Sequence, residues 1–405
     1  MKKFILLGVA AGLNRAGMFL LAPIFGFFIS VEDFGELSLF FVLSTLLVAM
    51  LSLNFSSIVS REVYRDLRGV FYYLALSNRY HILLCVIFFV FLIFLRNIYM
   101  AYALYVILES MFLVNSTFIR YKIGDEIFLK FTLLKFIFVI LGVFSYLFIV
   151  SEGVKYSNSI VFIILAVSNF PVFNFSYRTL KIKINNGFNV KYLFFALSLL
   201  PHSLSQWLNS GVDRYFVNWY FDRFTLGFYS FSYSLASIFL IVNASLSLSL
   251  PQLAVKNIKK YKSRNYFFAF SLIVTVLYLL SSSLLWLISP NIPNYDNLPI
   301  FELSFIVLSG FYMLSFYTYY SSFLFYDRKG GVISSITIIT AFINILLLYI
   351  LSKFFGVFGV ALVTYLVYLV YSILIAICAT KKFPLGLFLP VSISSFLVYY
   401  VFIYG

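Results

Sequence analysis

Four polar residues recur at helical spacing in an otherwise apolar stretch. His202, Gln206, Asn209 and Asp213 lie four, three and four residues apart, which places them along one side of a helix. Such a stripe has two uses: hydrogen bonding to a neighbouring helix, or lining a hydrated passage and handling what moves through it. Asn14 and Arg15 sit near the middle of the first apolar run, and Glu109 sits near the middle of the fourth, with Tyr102, Tyr105 and Ser116 on its side. An ionised group at that depth costs roughly 2.5–3.5 kcal/mol even on gentle scales, so each must face protein or water. Arg15 reads as a structural cation between helices or as the wall of a central cavity. Glu109 reads as half of an ion pair, with Arg15 a candidate partner, or as a proton or substrate site. Lys135 is about 7.5 Å along a helix axis from Lys130 and is expected to snorkel to the surface.

Other chemistry has little to stand on. The sequence has no phosphate-binding Walker loop, so direct ATP hydrolysis is excluded. Its two histidines are far apart, and Cys85 and Cys378 both lie in apolar runs, so neither a zinc cluster nor a disulfide framework is indicated and no resident cofactor is expected. Glu32 and Asp33 border a turn and read as a polar cap. A membrane polysaccharide polymerase or acyltransferase is the enzyme alternative, because such chains are also apolar and basic. A polymerase would need a long outside loop carrying polar catalytic residues, and this sequence has none.

The elements that position these residues follow from composition. Of 405 residues, 63% are hydrophobic and 11% charged, where a soluble domain is roughly half apolar and about a quarter charged. Apolar runs long enough to cross about 30 Å of hydrocarbon recur along the whole chain. They do not alternate as barrel strands do. The expected spans are about 4–30, 36–60, 73–95, 99–119, 128–150 and 158–176, then 191–212, 224–250, 267–289, 300–322, 332–351 and 357–378. A thirteenth apolar segment, 385–404, contains Pro390 and is a full span or an interfacial helix. The first run continues past Arg15 to about Ser30, which favours an uncleaved first helix over a signal peptide. The fold class is an all-α transmembrane bundle, and function must reside within it.

A net charge of +15 invites a nucleic-acid reading, but its distribution explains it otherwise. With the N-terminus inside, alternate loops collect most of the 29 Lys and Arg: Arg61 to Arg79, Arg120 to Lys130, Arg178 to Lys191, Lys256 to Arg264, Arg328 and Lys329, and Lys381 and Lys382. That is the positive-inside pattern, with a cytoplasmic N-terminus. Nucleic acid is not an expected partner.

The turn Asn185-Asn186-Gly187 divides six spans from six or seven, giving an N-terminal lobe over 1–184 and a C-terminal lobe over 185–405. An internal echo supports two lobes. Asp33-Phe34-Gly35-Glu36-Leu37-Ser38-Leu39-Phe40, entering the second span, resembles Thr225-Leu226-Gly227-Phe228-Tyr229-Ser230-Phe231, entering the eighth.

The succession Leu200-Pro201-His202-Ser203-Leu204-Ser205, Trp207-Leu208, Asp213-Arg214-Tyr215-Phe216, Gly227-Phe228-Tyr229-Ser230 and Pro251-Gln252-Leu253 resembles the Wzx-type polysaccharide flippases of the multidrug/oligosaccharidyl-lipid/polysaccharide (MOP) exporter superfamily. Pro23, Phe34-Gly35 and Arg61-Glu62 are similar to the same family, over nearly the full chain. Twelve or fourteen spans are usual there, and a thirteenth departs from the pattern. The resemblance implies two six-helix lobes around a central cavity. It also implies alternating access that carries a polyprenyl-pyrophosphate-linked oligosaccharide, an O-antigen or capsule repeat unit, from the inner to the outer leaflet of the bacterial cytoplasmic membrane. In that reading Arg15 and Asn14 attract pyrophosphate, His202, Gln206 and Asn209 handle sugar hydroxyls, and Asp213 and Arg214 form a structural or gating pair. Glu109 is the candidate for coupling to a proton gradient, sodium being the other coupling ion. Implied partners are the lipid-linked oligosaccharide, membrane lipids, and a polysaccharide polymerase with its chain-length regulator. A drug exporter of the same superfamily is the transporter alternative.

Overall fold

A computed structural model describes residues 21 to 404 apart from 22–23, 56–57, 60–65, 96, 180–193, 195–196, 293, 296, 328 and 382–383. Among the described residues there is no strand, and eight helices are long and apolar enough to cross a membrane, or nine if one bent pair counts as a span. The all-helical transmembrane class expected from composition is therefore the class observed. Asn14, Arg15, Pro23, Arg61-Glu62 and the lobe boundary at 184/185 lie outside the described residues.

The chain separates into two compact units, one of Phe40–Leu204 and one of Met1–Leu39 with Ser205–Gly405. Helix α1 (Val31–Leu51) passes from the second of these into the first. Ser30 caps it: the backbone N–H of Asp33 donates to Ser30 Oγ (3.1 Å), and Ser30 Oγ donates to the Asp33 carboxylate (2.8 Å). Asp33 is thus the polar cap that the sequence suggests.

The Phe40–Leu204 unit is built on α2 (Leu67–Leu95), α3 (Ile98–Phe118), α4 (Asp125–Ser151), α5 (Asn158–Ser168) and α6 (Phe170–Thr179). The span expected at 158–176 is two helices. Pro171 has no N–H to donate back along the helix and its ring crowds the preceding turn, so the helix breaks at Asn169. Helix α3 is buried along most of its length, whereas α2 and α4 turn Phe89, Phe94, Phe138, Phe144 and Phe148 outward. An apolar cluster of Phe55, Ile58, Val59, Val70, Tyr73, Leu74, Val114 and Phe118 closes one end of this unit. Across α2 and α3, Asn78 and Asn115 exchange reciprocal amide hydrogen bonds of 3.0 and 2.8 Å. One turn on, His81 Nε2 lies 2.8 Å from Ser110 Oγ while His81 Nδ1 lies 2.7 Å from the Ser77 carbonyl. These pairs fix the register of two helices whose remaining surfaces are apolar and would slide.

The other unit holds most of α7 (Leu200–Tyr220), then α8 (Arg223–Ala236), α9 (Phe239–Lys256), the short α10 (Ile258–Tyr261), α11 (Arg264–Ile288), α12 (Ile300–Tyr326), α13 (Gly330–Thr380) and α14 (Phe388–Tyr404). Helix α12 is its axis, buried from Leu303 to Met313 and packed against α8, α9, α11, α13 and α14. The expected span 224–250 bends by 50° between α8 and α9. Ser234 and Ser237 hydroxyls there donate back to the carbonyls of Ser230 and Ser234 and loosen the ladder. The spans expected at 332–351 and 357–378 meet at Gly356, whose φ of 57° is open to glycine and costly for a side chain. The thirteenth segment is a helix of membrane length over Leu385–Ile403. It is fastened by Tyr365 Oη, 3.1 and 2.8 Å from the hydroxyls of Ser394 and Ser395, and by Phe402 against Phe355 and Phe358.

Truncating Asn115 removes both hydrogen bonds that it exchanges with the buried Asn78, at a cost of about 1–3 kcal/mol. Asn115→Ala should lower the melting temperature of the detergent-purified protein, and Asn78→Leu with Asn115→Leu should recover most of the loss. Equal melting temperatures for the wild type and Asn115→Ala would show that the amide pair holds nothing.

Candidate functional site

Helix α7 separates its polar stripe by depth. Asn209 and Asp213 are buried, His202 is half-buried and Gln206 is exposed. Asn209 Nδ2 donates to Thr340 Oγ1 (3.0 Å) on α13, and Asn344 Nδ2 on α13 donates back to the Leu208 carbonyl (3.2 Å). These two are helix-packing groups, one of the alternatives open from the sequence. The packing is incomplete: Asn209 Oδ1, Asn344 Oδ1 and Arg214 Nε are buried without hydrogen-bond partners. His202 Nδ1 is likewise unpartnered. Ser203 Oγ donates to Asn54 Oδ1 at 3.0 Å.

Asp213 and Arg214 do not pair through their side chains. The Asp213 carboxylate accepts from Tyr229 Oη on α8 (2.7 Å) and from the Arg214 backbone N–H (2.9 Å). The Arg214 guanidinium instead lies over the Tyr233 ring, 3.9 Å from its centroid. Neighbours in sequence on a helix point about 100° apart, so each finds its own tyrosine. A cation on a ring face and an anion on a phenol are both tolerable without water.

Glu109 has a different partner from the one anticipated. Lys135 Nζ donates to both of its carboxylate oxygens at 2.7 Å, and Asn169 Nδ2 donates to Oε2 at 3.2 Å. The expectation that Lys135 snorkels is therefore corrected. A carboxylate on the neighbouring helix lies within reach of its four-carbon stem, and in hydrocarbon that pairing outweighs a climb to the headgroups. The Phe112 ring lies beneath the ammonium, 4.1 Å to the centroid. Asn169, at the break between α5 and α6, is 3% exposed and keeps its Oδ1 without a donor. Of the other polar positions on α3, Tyr102 Oη donates to the Phe40 carbonyl and Ser116 bonds within its own helix.

The two segments that echo each other in sequence face each other. A Cβ on Gly35 would stand 2.9 Å from the Gly227 backbone nitrogen, and one on Gly227 would overlap the Val31 carbonyl. One turn on, Ser38 Oγ donates to Ser230 Oγ at 2.7 Å. Gly-x-x-Ser from α1 thus crosses Gly-x-x-Ser from α8, with glycine meeting glycine and serine meeting serine. Phe34 packs edge-on to Phe231, whose other neighbour is the Tyr295 ring, stacked at 4.0 Å. Residues 24–28 form a helical turn whose end leaves carbonyls unpaired, and Asn294 Nδ2 donates to those of Gly26 (3.1 Å) and Ile29 (3.4 Å). All of these contacts lie towards the N-terminal end of α1.

Sequence reading missed Asn169, Thr337, Thr340, Asn344, Asn294 and the His81–Ser110 contact. Thr337, Thr340 and Asn344, three and four residues apart in an apolar run, carry the same signal as the α7 stripe they bond to. Asn294, in a loop, carries none.

No family profile matches the sequence, and no curated protein is detectably similar to it. Solved structures are similar in fold. An outward-facing multidrug-resistance MATE family transporter of the MOP superfamily superposes with a TM-score of 0.65 at 15% identity, over 95% of this chain and 96% of its own. A MATE protein in its straight conformation gives 0.58 at 14% identity with the same coverage. A MOP superfamily transporter from Pyrococcus furiosus, described as having a binding pocket of reversed polarity that suggests a different function, also gives 0.58 at 14% identity over 95% and 96%. The chain has the fold of MOP transporters.

Cysteines in place of Ser38 and Ser230 should cross-link under mild oxidation in an otherwise cysteine-free protein. The readout is one band on a denaturing gel after proteolysis in the loop at 185–187, returning to two with reductant. Two bands throughout would contradict the crossing.

Proposed function

We propose that this protein is a MOP-type transporter that moves a polyprenyl-pyrophosphate-linked oligosaccharide from the inner to the outer leaflet of the bacterial cytoplasmic membrane by alternating access. The fold supports transport over catalysis. The observation that carries the choice of cargo is the state of the two carboxylates deep in the described helices. Glu109 is neutralised by Lys135, and Asp213 is buried under Tyr229. Neither offers the free negative charge that a cationic drug would seek. Among the described residues Gln206 is exposed and His202 half-buried, and the sequence adds Arg15 with Asn14. Such groups suit hydroxyls and phosphates. A pyrophosphate cannot cross hydrocarbon unaided, so the protein must supply its hydration. The topology that goes with this reading has the N-terminus and the basic loops in the cytoplasm. A polysaccharide polymerase and its chain-length regulator are then the functional neighbours.

The second reading is export of small molecules, and the multidrug-resistance relatives in fold favour it. The two separate in a deletion strain assayed for lipid-linked repeat units by leaflet. Accumulation on the inner face supports flipping. Normal distribution with heightened sensitivity to toxic small molecules supports the exporter, and unpolymerised units on the outer face support a polymerase.

Coupling is assigned to Glu109 and to protons. Its carboxylate is held by Lys135 and the Asn169 amide, Lys135 also rests on the Phe112 ring face, and the same Asn169 keeps a buried Oδ1 without a donor. Sodium is the alternative coupling ion. Removing Glu109 alone leaves an unpaired buried cation at about 3–5 kcal/mol, so the test is Glu109→Gln with Lys135→Met in proteoliposomes. Transport by the wild type should respond to an imposed pH difference and that of the double variant should not. An unchanged pH response in the double variant would contradict the assignment.

A further inference from the structure

The loop between α9 and α11 belongs to the positive-inside pattern, and it is built more firmly than that pattern or a connector requires. Its sequence, Asn257-Ile258-Lys259-Lys260-Tyr261-Lys262-Ser263-Arg264, carries four cations, and no Asp or Glu occurs between Asp222 and Asp296. Elsewhere the basic loops are partly neutralised: Arg120 lies 3.9 Å from the Asp125 carboxylate, and Lys329 lies 4.0 Å from that of Asp327. Lys259, Lys260, Lys262 and Arg264 are exposed, and among the described residues no carboxylate stands within 4.0 Å of them.

The backbone that displays them is pinned. Tyr261 is 2% exposed, and its carbonyl accepts from Tyr319 Oη at 2.7 Å while its own Oη donates to the Tyr319 carbonyl at 3.4 Å. Its ring packs against Tyr319, Phe323 and Tyr266. Asn257 Oδ1 caps the short α10 through the Lys260 N–H (3.1 Å), and Ser263 Oγ caps α11 through the Tyr266 N–H (3.3 Å). Lys262 rests over the Phe323 ring, 5.3 Å to its centroid. Orientation in the membrane requires only that cations be present on one side, and a floppy tether would do. Here four are fixed on a scaffold where two apolar helices begin and end.

We infer that Lys259, Lys260, Lys262 and Arg264 form a binding platform for lipid-borne phosphate at the inner surface of the membrane, held in place by the Tyr261–Tyr319 clasp. The inference rests on the cytoplasmic placement of this loop and not on the identity of the cargo. Two sources carry the chemistry: the phosphodiester of an anionic phospholipid, and the diphosphate of a polyprenyl carrier. Each cation near a charged lipid surface contributes about fivefold in affinity at low salt, and the contribution fades as salt rises.

The test uses the full-length purified protein and native mass spectrometry. The probes are phosphatidylglycerol, phosphatidylcholine and farnesyl diphosphate. One variant combines Lys259→Gln, Lys260→Gln and Lys262→Gln; a control of equal charge change combines Lys122→Gln, Lys130→Gln and Lys381→Gln. The platform variant should lose affinity about a hundredfold for one or both phosphate probes, with phosphatidylcholine unmoved and the control near wild type. Loss confined to phosphatidylglycerol identifies bulk lipid as the occupant, and loss confined to farnesyl diphosphate identifies the carrier. Equal loss in the control, or none in the platform variant, overturns the inference. So does labelling of Lys260→Cys by an impermeant maleimide added outside intact cells. The leaflet assay is independent of these results, so failure of the platform leaves the transport reading standing.

Discussion

Inside hydrocarbon a polar group has only the protein to turn to, and this constraint organises the structure. Glu109 is met by Lys135 and Asn169, Asp213 by Tyr229, Arg214 by the Tyr233 ring, Asn78 by Asn115 and His81 by Ser110. Each of these contacts ties a helix to a neighbouring segment across surface that is mostly apolar. The same groups that remove a penalty also set register. The exceptions are then informative: the orphaned oxygens of Asn169, Asn209 and Asn344 mark the places where a proton, an ion or a water would find a welcome.

The Gly-x-x-Ser crossing shows how a close helix contact is made without any ion pair. Two glycines remove the side chains that would hold the backbones apart, and one serine hydrogen bond follows a turn later. A larger residue at Gly227 has nowhere to go, because the Val31 carbonyl occupies the space. The contact is small, uses no charged side chain, and repeats the same motif from both sides.

Much of the fold was legible in the sequence because hydrophobic length and charge alternation are set directly by the bilayer. The echo between Asp33–Phe40 and Thr225–Phe231 was visible in the sequence as a repeat, but that its glycines and serines meet each other was not. Other features were hidden. Lys135 was read by its axial distance from Lys130, but a lysine stem reaches sideways as well as upward, and Glu109 lay on an adjacent helix. The break at Asn169 had a local signal in Pro171; the bend between α8 and α9 came from serine back-bonding, which looks the same in sequence as serine on a packed face. Asp213 and Arg214 were adjacent in sequence and so suggested a pair, yet the helix turns them to different tyrosines.

The proposed transport reading holds that a protein whose two deep carboxylates are already engaged, Glu109 by Lys135 and Asp213 by Tyr229, takes an anionic or neutral headgroup and not a free cation. The most direct measurement is made with purified protein in sealed liposomes. Half of them carry a fluorescent short-chain polyprenyl-diphosphate oligosaccharide in the bilayer, and the others enclose a cationic dye. The prediction is that the labelled lipid in the inner leaflet becomes accessible to a membrane-impermeant quencher only when the protein is present, and the dye stays enclosed. Release of the dye with no movement of the labelled lipid would contradict the account.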